Sequence, residues 1–284
     1  MKKGTKSAAL ALAAVMMTAV LTACGSKADT AGSNTVTDTT VGGSQAENTD
    51  ADVTPENGGT LTFGTNAEFP PFEFVVASGV IDQYDGIDIA IAKKIAEKNG
   101  MTAAIENMEF PSLLVALENG QIDAAIAGMT ITDERKEEAD FSIPYYTATQ
   151  VMIVKEDSDI ASATDMADKK ICVIEGYTGE VCVKDLGYQY VAFKKGTDAI
   201  MELVNGKCDV VVIDSATAQK YVGDNEGLKI VEDASAFESE EYAIAVKKGN
   251  TELLDKINKS IEELLDDGTV ADLGAMYTEA VSVE

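Results

Sequence analysis

The 284-residue chain contains no histidine, and its 22 Lys plus Arg stand against 49 Asp plus Glu, a formal charge of −27. The missing histidine removes the commonest zinc ligand and the side chain most used for acid–base catalysis near neutral pH. A negative excess of this size repels a phosphate backbone, so no nucleic-acid partner is expected. Cysteine is scarce: Cys24, Cys172, Cys182 and Cys208. The last three have no metal-like spacing, and Cys172 and Cys208 sit in apolar runs that suit small buried hydrophobes. No cofactor or metal is expected. Gly176–Gly179 has no Lys at phosphate-loop spacing, and no paired acid/base constellation is visible. The apolar run from Ala8 to Leu21 is too short and too Ala-rich for a good membrane span.

That run has a different reading. Lys2, Lys3 and Lys6 precede it, and Leu21-Thr22-Ala23-Cys24 closes it, the shape of a secretory signal over 1–23. The closing string resembles the bacterial lipobox, whose Cys carries diacylglycerol after cleavage before it. Cys24 is thus the expected lipidation site, and an extracytoplasmic protein anchored to the cell membrane follows; several acyl chains on one residue hold far better than one. Residues 24–58 are rich in Thr, Asp, Gly, Ser and Asn and almost devoid of large apolar side chains. Such a segment cannot bury enough surface to fold. It reads as a flexible tether spanning on the order of 30 Å.

From about residue 59 onward, short apolar runs alternate with helical patterns. Thr60–Gly64 reads as a strand, Asp88–Asn99 as a helix stopped by Gly100, and Pro111–Asn119 as a helix stopped by Gly120. Asp123–Ala127 reads as a buried strand. The unit recurs: Leu117-Glu118-Asn119-Gly120-Gln121-Ile122-Asp123 matches Leu203-Val204-Asn205-Gly206-Lys207-Cys208-Asp209. One copy in each half predicts two similar α/β lobes with largely parallel sheets, whose ligands bind beyond the C-terminal strand ends. Past the first strand stand Gly128, Thr130 and Arg135; past the second stands Asp214. A guanidinium facing a carboxylate across a cleft is what a zwitterion needs, since Arg binds a carboxylate through two parallel bonds. Taken alone, Arg135 is also compatible with a surface charge, and Asp214 with a helix N-cap.

From Gly59 to the end the chain resembles the amino-acid-binding proteins of ABC importers, solute-binding protein family 3. The resemblance rests on Gly64–Phe74, Gly86–Ala90, Gly128–Lys136 with Asp140–Tyr146, Glu175–Glu180 and Glu241–Val246. Ile87 stands where the family has an aromatic and Ala90 where it has a second acid; neither is expected to disturb the cleft, because the segment opens a peripheral helix. The resemblance implies a two-lobed periplasmic-binding-protein-like fold, with lobe 1 at 59–146 plus 243–284 and lobe 2 at 147–242. Hinge crossings fall near Tyr145–Thr149 and Glu238–Tyr242, about which the lobes close on the ligand. It further implies that Phe69 and Phe110 sandwich the ligand side chain. Arg135, with amides at Thr130 and Thr178, takes the α-carboxylate. Asp214, with the Gly128 carbonyl and Thr130 hydroxyl, takes the α-ammonium. Asn66 stands where an Asp often meets the ligand's distal group, which favours a neutral polar amino acid; nearby Glu68 keeps a cationic one open. The expected partners are a free amino acid and the permease subunits of an importer, with the chain acting as a monomer.

Two other classes fit the same fold. A cyclohexadienyl dehydratase-like enzyme needs a general acid in the cleft, for which Glu68 or Glu175 is the candidate. A sensory ligand-binding protein is the other alternative.

Overall fold

The computed structural model describes residues 58–76 and 83–279. The signal, Cys24 and nearly all of the tether lie outside them. The described residues belong to one compact unit, Asp52–Glu284. In chain order the elements are β1 (Thr60–Thr65), β2 (Glu68–Phe69), β3 (Glu73–Val75), β4 (Tyr84–Asp85), α1 (Ile87–Lys98), β5 (Thr102–Asn107), α2 (Leu113–Glu118), β6 (Ala124–Ala125), α3 (Asp133–Glu138), β7 (Ala139–Phe141) and β8 (Tyr146–Lys155). There follow β9 (Ile171–Ile174), α4 (Thr178–Asp185), β10 (Tyr190–Phe193), α5 (Gly196–Val204), β11 (Val210–Asp214), α6 (Ser215–Asp224), β12 (Leu228–Val231), β13 (Ser239–Tyr242), β14 (Ala245–Lys247), α7 (Thr251–Asp266) and α8 (Thr269–Glu279).

Two sheets carry two lobes. The first has the order β5-β1-β6-β14-β7 and the second β10-β9-β11-β8-β12. In each, the αβ units pair in parallel: β1 with β5 and β6, β9 with β10 and β11. The strands of the crossing and returning chain, β8 and β14, pair antiparallel to them. Each lobe is thus an α/β layer structure on a mixed sheet. The crossings are β8 and β13, and they pair with each other, Ser239 opposite Thr149 through Tyr242 opposite Tyr146. Both links between lobes form one antiparallel ribbon.

The repeated unit has a mechanical basis. α2 ends at Asn119 and α5 at Asn205, and the glycines that follow adopt φ of 68° and 70°, a region other residues avoid. The Asp three residues after each glycine then bonds twice to a neighbouring strand. Asp123 donates its amide to Thr62 O and accepts Thr62 N–H on Oδ2, both at 2.8 Å. Asp209 does the same with Lys170, again at 2.8 Å for both bonds. The first of the two strands is shorter than its apolar run suggests, two residues at Ala124–Ala125, although the run stays buried to Ala127. The chain leaves the ladder early to reach Gly128.

α1 buries Ile87, Ile91, Ala92, Ile95 and Ala96, one face at helical spacing. Its Asp88 is fully buried too, and this helix start is not peripheral to the cleft. Asp88 Oδ2 accepts the Gly128 amide at 2.7 Å and the Tyr145 hydroxyl at 2.8 Å. It therefore fixes the loop that leaves β6 and the start of the first crossing. Glu73 lies beside it, also fully buried. Burial, then the Asp88 charge, pushes the Glu73 carboxyl well above its ordinary range, and a proton held there lets it donate to Asp88. Asp88 itself is pushed up to about 6 by burial, against the pull of the Gly128 amide and Tyr145 hydroxyl.

Both folded-state values lie above the unfolded ones, so the folded protein holds more protons. The stabilisation linked to these groups is complete below about pH 4 and is lost as pH rises through 6 and beyond. For Asp88 the rise from 3.8 to about 6 corresponds to roughly 3 kcal/mol. Glu73→Gln keeps a donor without an ionisable proton. Urea unfolding between about pH 4.5 and 7.5 is expected to show a shallower fall in stability for this variant than for wild type. Parallel curves would remove the buried pair as the source.

Candidate binding cleft

The first lobe supplies a floor and a cation. Asn66 follows β1 directly; its Nδ2 donates to Met108 O at 2.9 Å, and its Oδ1 faces the other lobe. Phe69 is buried against Phe72 and Tyr242, with ring centroids 5.5 and 6.4 Å away. Gly128 approaches that ring so closely that a Cβ would lie 2.5 Å from Phe69 Cε1, and its φ of 51° excludes most side chains independently. Arg135 lies in α3, whose start is capped by Thr132 Oγ1 accepting the Arg135 amide at 3.1 Å. Its guanidinium folds back to donate to Thr130 O at 2.8 Å and crosses the cleft to donate to Gly176 O at 2.9 Å. It also sits 5.0 Å from the Phe110 ring centroid. A guanidinium has five N–H donors, so these bonds leave capacity for an anion. Burial lowers its pKa, and the charges of Glu240 and Asp214 oppose that shift.

The second lobe supplies the anion. Thr178 opens α4; its Oγ1 accepts from Gln150 Nε2 at 3.0 Å and donates to Glu240 Oε2 at 2.7 Å. Asp214 is the last residue of β11 and stands at the N-cap position of α6, but makes no side-chain capping bond there. Its buried carboxylate instead accepts from the Tyr242 hydroxyl. Burial, then repulsion from Glu240, raises its pKa to about 7.

The cleft brings all eight candidates, Asn66, Phe69, Phe110, Gly128, Thr130, Arg135, Thr178 and Asp214, into one connected cluster. One detail differs from expectation. The ring that lies against both Phe69 and Phe110 is Tyr177, at 5.2 and 4.8 Å. Tyr177 precedes α4 and extends across the cleft, where its hydroxyl donates to Asn66 Oδ1 at 2.8 Å. The aromatic pair is therefore completed from the opposite lobe. Glu68 points to the cleft mouth and pairs with Lys195 of the second lobe at 2.6 Å. Cavities remain on either side of Thr178. One of about 360 Å³ is lined by Phe110, Met129, Arg135 and Gly176, and one of about 580 Å³ by Thr130, Cys182 and Glu240.

Tyr177, Tyr242, Gln150, Asp88 and Glu240 are the cleft residues that sequence reasoning passed over. Tyr177 and Glu240 lay inside segments already singled out, the Gly-Tyr-Thr-Gly loop and the second crossing. Gln150 sits one residue past the first crossing. Among the described residues the three cysteines are free: Cys172 and Cys208 are buried and Cys182 is half-buried. Among the described residues there is no cluster of metal-ligating side chains, and no helix long and apolar enough to cross a membrane.

Residues 61–280 match the family model described as bacterial extracellular solute-binding proteins, family 3. The chain is 35% identical over 220 residues to the arginine-binding extracellular protein ArtP of Bacillus subtilis, covering 75% of this chain and 84% of the relative. It is 30% identical over 265 residues to the ABC transporter glutamine-binding protein GlnH of the same organism, covering 91% and 92%. Among solved structures, an ancestral arginine-binding protein bound to glutamine superposes with a TM-score of 0.72 at 44% identity, covering 78% of this chain and 99% of that one.

The environment of Asp214 is directly testable. A carbon-13 NMR titration of its carboxyl is expected to show a midpoint near 7. Tyr242→Phe removes a donor that holds the value down, so its midpoint should move higher. A wild-type midpoint in the ordinary Asp range would show that Asp214 is solvated.

Proposed function

Because the chain belongs to the bacterial extracellular solute-binding proteins, family 3, we propose that it captures a free polar amino acid with an uncharged side chain and presents it to an ABC importer. It is a solute-binding protein, not an enzyme. The observation that carries the reading is the placement of the Arg135 guanidinium and the buried Asp214 carboxylate on opposite lobes of one cleft. Arg135 takes the α-carboxylate with the amides of Thr130 and Thr178, the latter opening α4, a natural anion site. Asp214 takes the ammonium with the Gly128 carbonyl and the Thr130 oxygen. Lobe 1, at 59–146 plus 243–284, and lobe 2, at 147–242, rotate about the ribbon of β8 and β13 and close on the ligand. A loaded, closed monomer is what the permease subunits read. The chain is exported and held to the membrane through Cys24.

A neutral side chain is favoured by the two candidate distal groups. Asn66 carries no charge and is engaged at both ends, by Met108 O and the Tyr177 hydroxyl. Glu68 already pairs with Lys195 of the second lobe. Glutamine fits, and GlnH is a relative named for it. The relative ArtP is named for arginine, and this supports a cationic ligand as the second reading. Calorimetric titration with glutamine, cystine, arginine, lysine and histidine separates the two. A clear preference for a cation would overturn the neutral assignment and point to Glu68 as its partner.

Removing one member of a buried charged contact costs about 2–5 kcal/mol, or roughly 30-fold to several-thousand-fold in affinity. Arg135→Ala and Asp214→Ala are each expected to lose that much while remaining folded, and Arg135→Lys to recover only part. The ligand's decarboxylated amine should bind wild type weakly and lose little more on Arg135→Ala. An amine that binds as well as the amino acid would end the clamp hypothesis. For the anchor, Cys24→Ser should release the protein from the membrane fraction or block its processing; a variant that is processed and retained like wild type would rule the lipid out.

A further inference from the structure

Glu240 lies on β13, in the second crossing, and the zwitterion clamp does not use it. Its Oε2 accepts from Thr130 Oγ1 at 2.8 Å and from Thr178 Oγ1 at 2.7 Å. The two threonines are buried and stand on opposite lobes, so a single carboxylate oxygen from the hinge ties both together. A hydroxyl owns one proton and two lone pairs, and an ionised carboxylate can only accept. The direction of both bonds is thereby fixed, and both hydroxyl protons are spent on Glu240. Thr178 Oγ1 has a further bond, accepting from Gln150 Nε2 at 3.0 Å. Thr130 Oγ1 is left with lone pairs alone. It can receive an N–H from an ammonium, and it cannot donate to a carboxylate. The Glu240 charge also reaches Asp214 and Arg135 through space.

We propose that Glu240 is a positioning residue: by taking the hydroxyl protons of Thr130 and Thr178 it turns the Thr130 oxygen into an ammonium acceptor, and so fixes which end of a bound amino acid faces Asp214. The inference rests on the amino-acid reading above and adds a specificity determinant to it. Without Glu240 the Thr130 hydroxyl is free to rotate and donate into the cleft, and the polarity that tells the ammonium end from the carboxylate end is weakened.

Four proteins test it: wild type, Glu240→Met, Glu240→Gln and Thr130→Val. Each is titrated calorimetrically with L-glutamine, L-arginine and their desamino analogues, which keep the carboxylate and side chain but carry hydrogen in place of the ammonium. Glu240→Met fills similar space without a comparable acceptor. It is expected to weaken whichever amino acid wild type binds by about 10- to 100-fold, the range for one bond to a charged group. The desamino analogue should change less than about threefold, because it has no group for Thr130 to receive. Glu240→Gln retains an amide oxygen able to accept both hydroxyls and should recover most of the loss. Thr130→Val should reproduce the selective loss. Equal weakening of amino acid and desamino analogue by Glu240→Met would mean that the residue only holds the fold, and overturns the inference. Unchanged amino-acid affinity in that variant overturns it as well. Wild type binding no amino acid would instead bring down the functional reading, and this inference with it.

Discussion

The pairing of β13 with β8 is the constraint on which the cleft depends. It joins the two crossings into one ribbon, Tyr242 opposite Tyr146, and thereby places Tyr242 where the lobes meet. That ring is fully buried, packs on Phe69, Phe72 and Tyr146, and sends its hydroxyl to Asp214. The same strand carries Glu240 between Thr130 and Thr178, and an isolated bridge ties Thr130 to Tyr242. The hinge is therefore also the back wall of the site. In the proposed closure, rotation about it would change the distances among the groups that meet a ligand, so opening and unloading would be one motion.

The fold was legible where local chemistry and periodicity agree. The Asn-Gly stops of α2 and α5 need positive φ, and their recurrence is a signature of two lobes readable in the sequence itself. The Asp that follows each stop could be noticed as a repeat, but its double bond to a neighbouring strand could not, because that neighbour, Thr62 or Lys170, is remote in sequence. Boundaries were less legible. The apolar run Asp123–Ala127 is buried at four of its five residues, but its ladder pairing ends at Ala125 because Gly128 must be delivered to Asp88.

The cleft divides in the same way. Arg135 and Asp214 stand out because a charge just past an apolar strand is unusual, and the structure brings both to one place. Glu240 was hidden among Glu238, Ser239 and Glu241 in an acidic stretch of a very acidic chain. Nothing in its spacing separates it from a solvated neighbour; only the approach of two threonines from different lobes does. Tyr177 was passed over for a related reason. A tyrosine before a helix is ordinary, and its reach to Asn66 is 111 residues away in sequence.

Electrostatics then decide which contacts matter. Exposed pairs such as Lys256 with Glu252 and Lys220 with Asp224 contribute little, because solvent screens both partners. Among the described residues most acidic side chains are exposed in this way. Within the cleft the same charges are desolvated: Asp214 is raised to about 7 by burial and by Glu240. A group raised in this way is costly while ionised and alone, and an arriving ammonium relieves that cost. Binding of the proposed kind therefore draws on a penalty already present in the fold. Arg135 is the complementary case, a buried guanidinium that two carbonyls and an aromatic face satisfy only in part. Each end of the cleft is short of one partner of opposite sign, on opposite lobes, and a zwitterion held as proposed would supply both at once. Either charge alone would leave the other end unpaired, so the proposed clamp disfavours an amine or an acid that shares the same side chain.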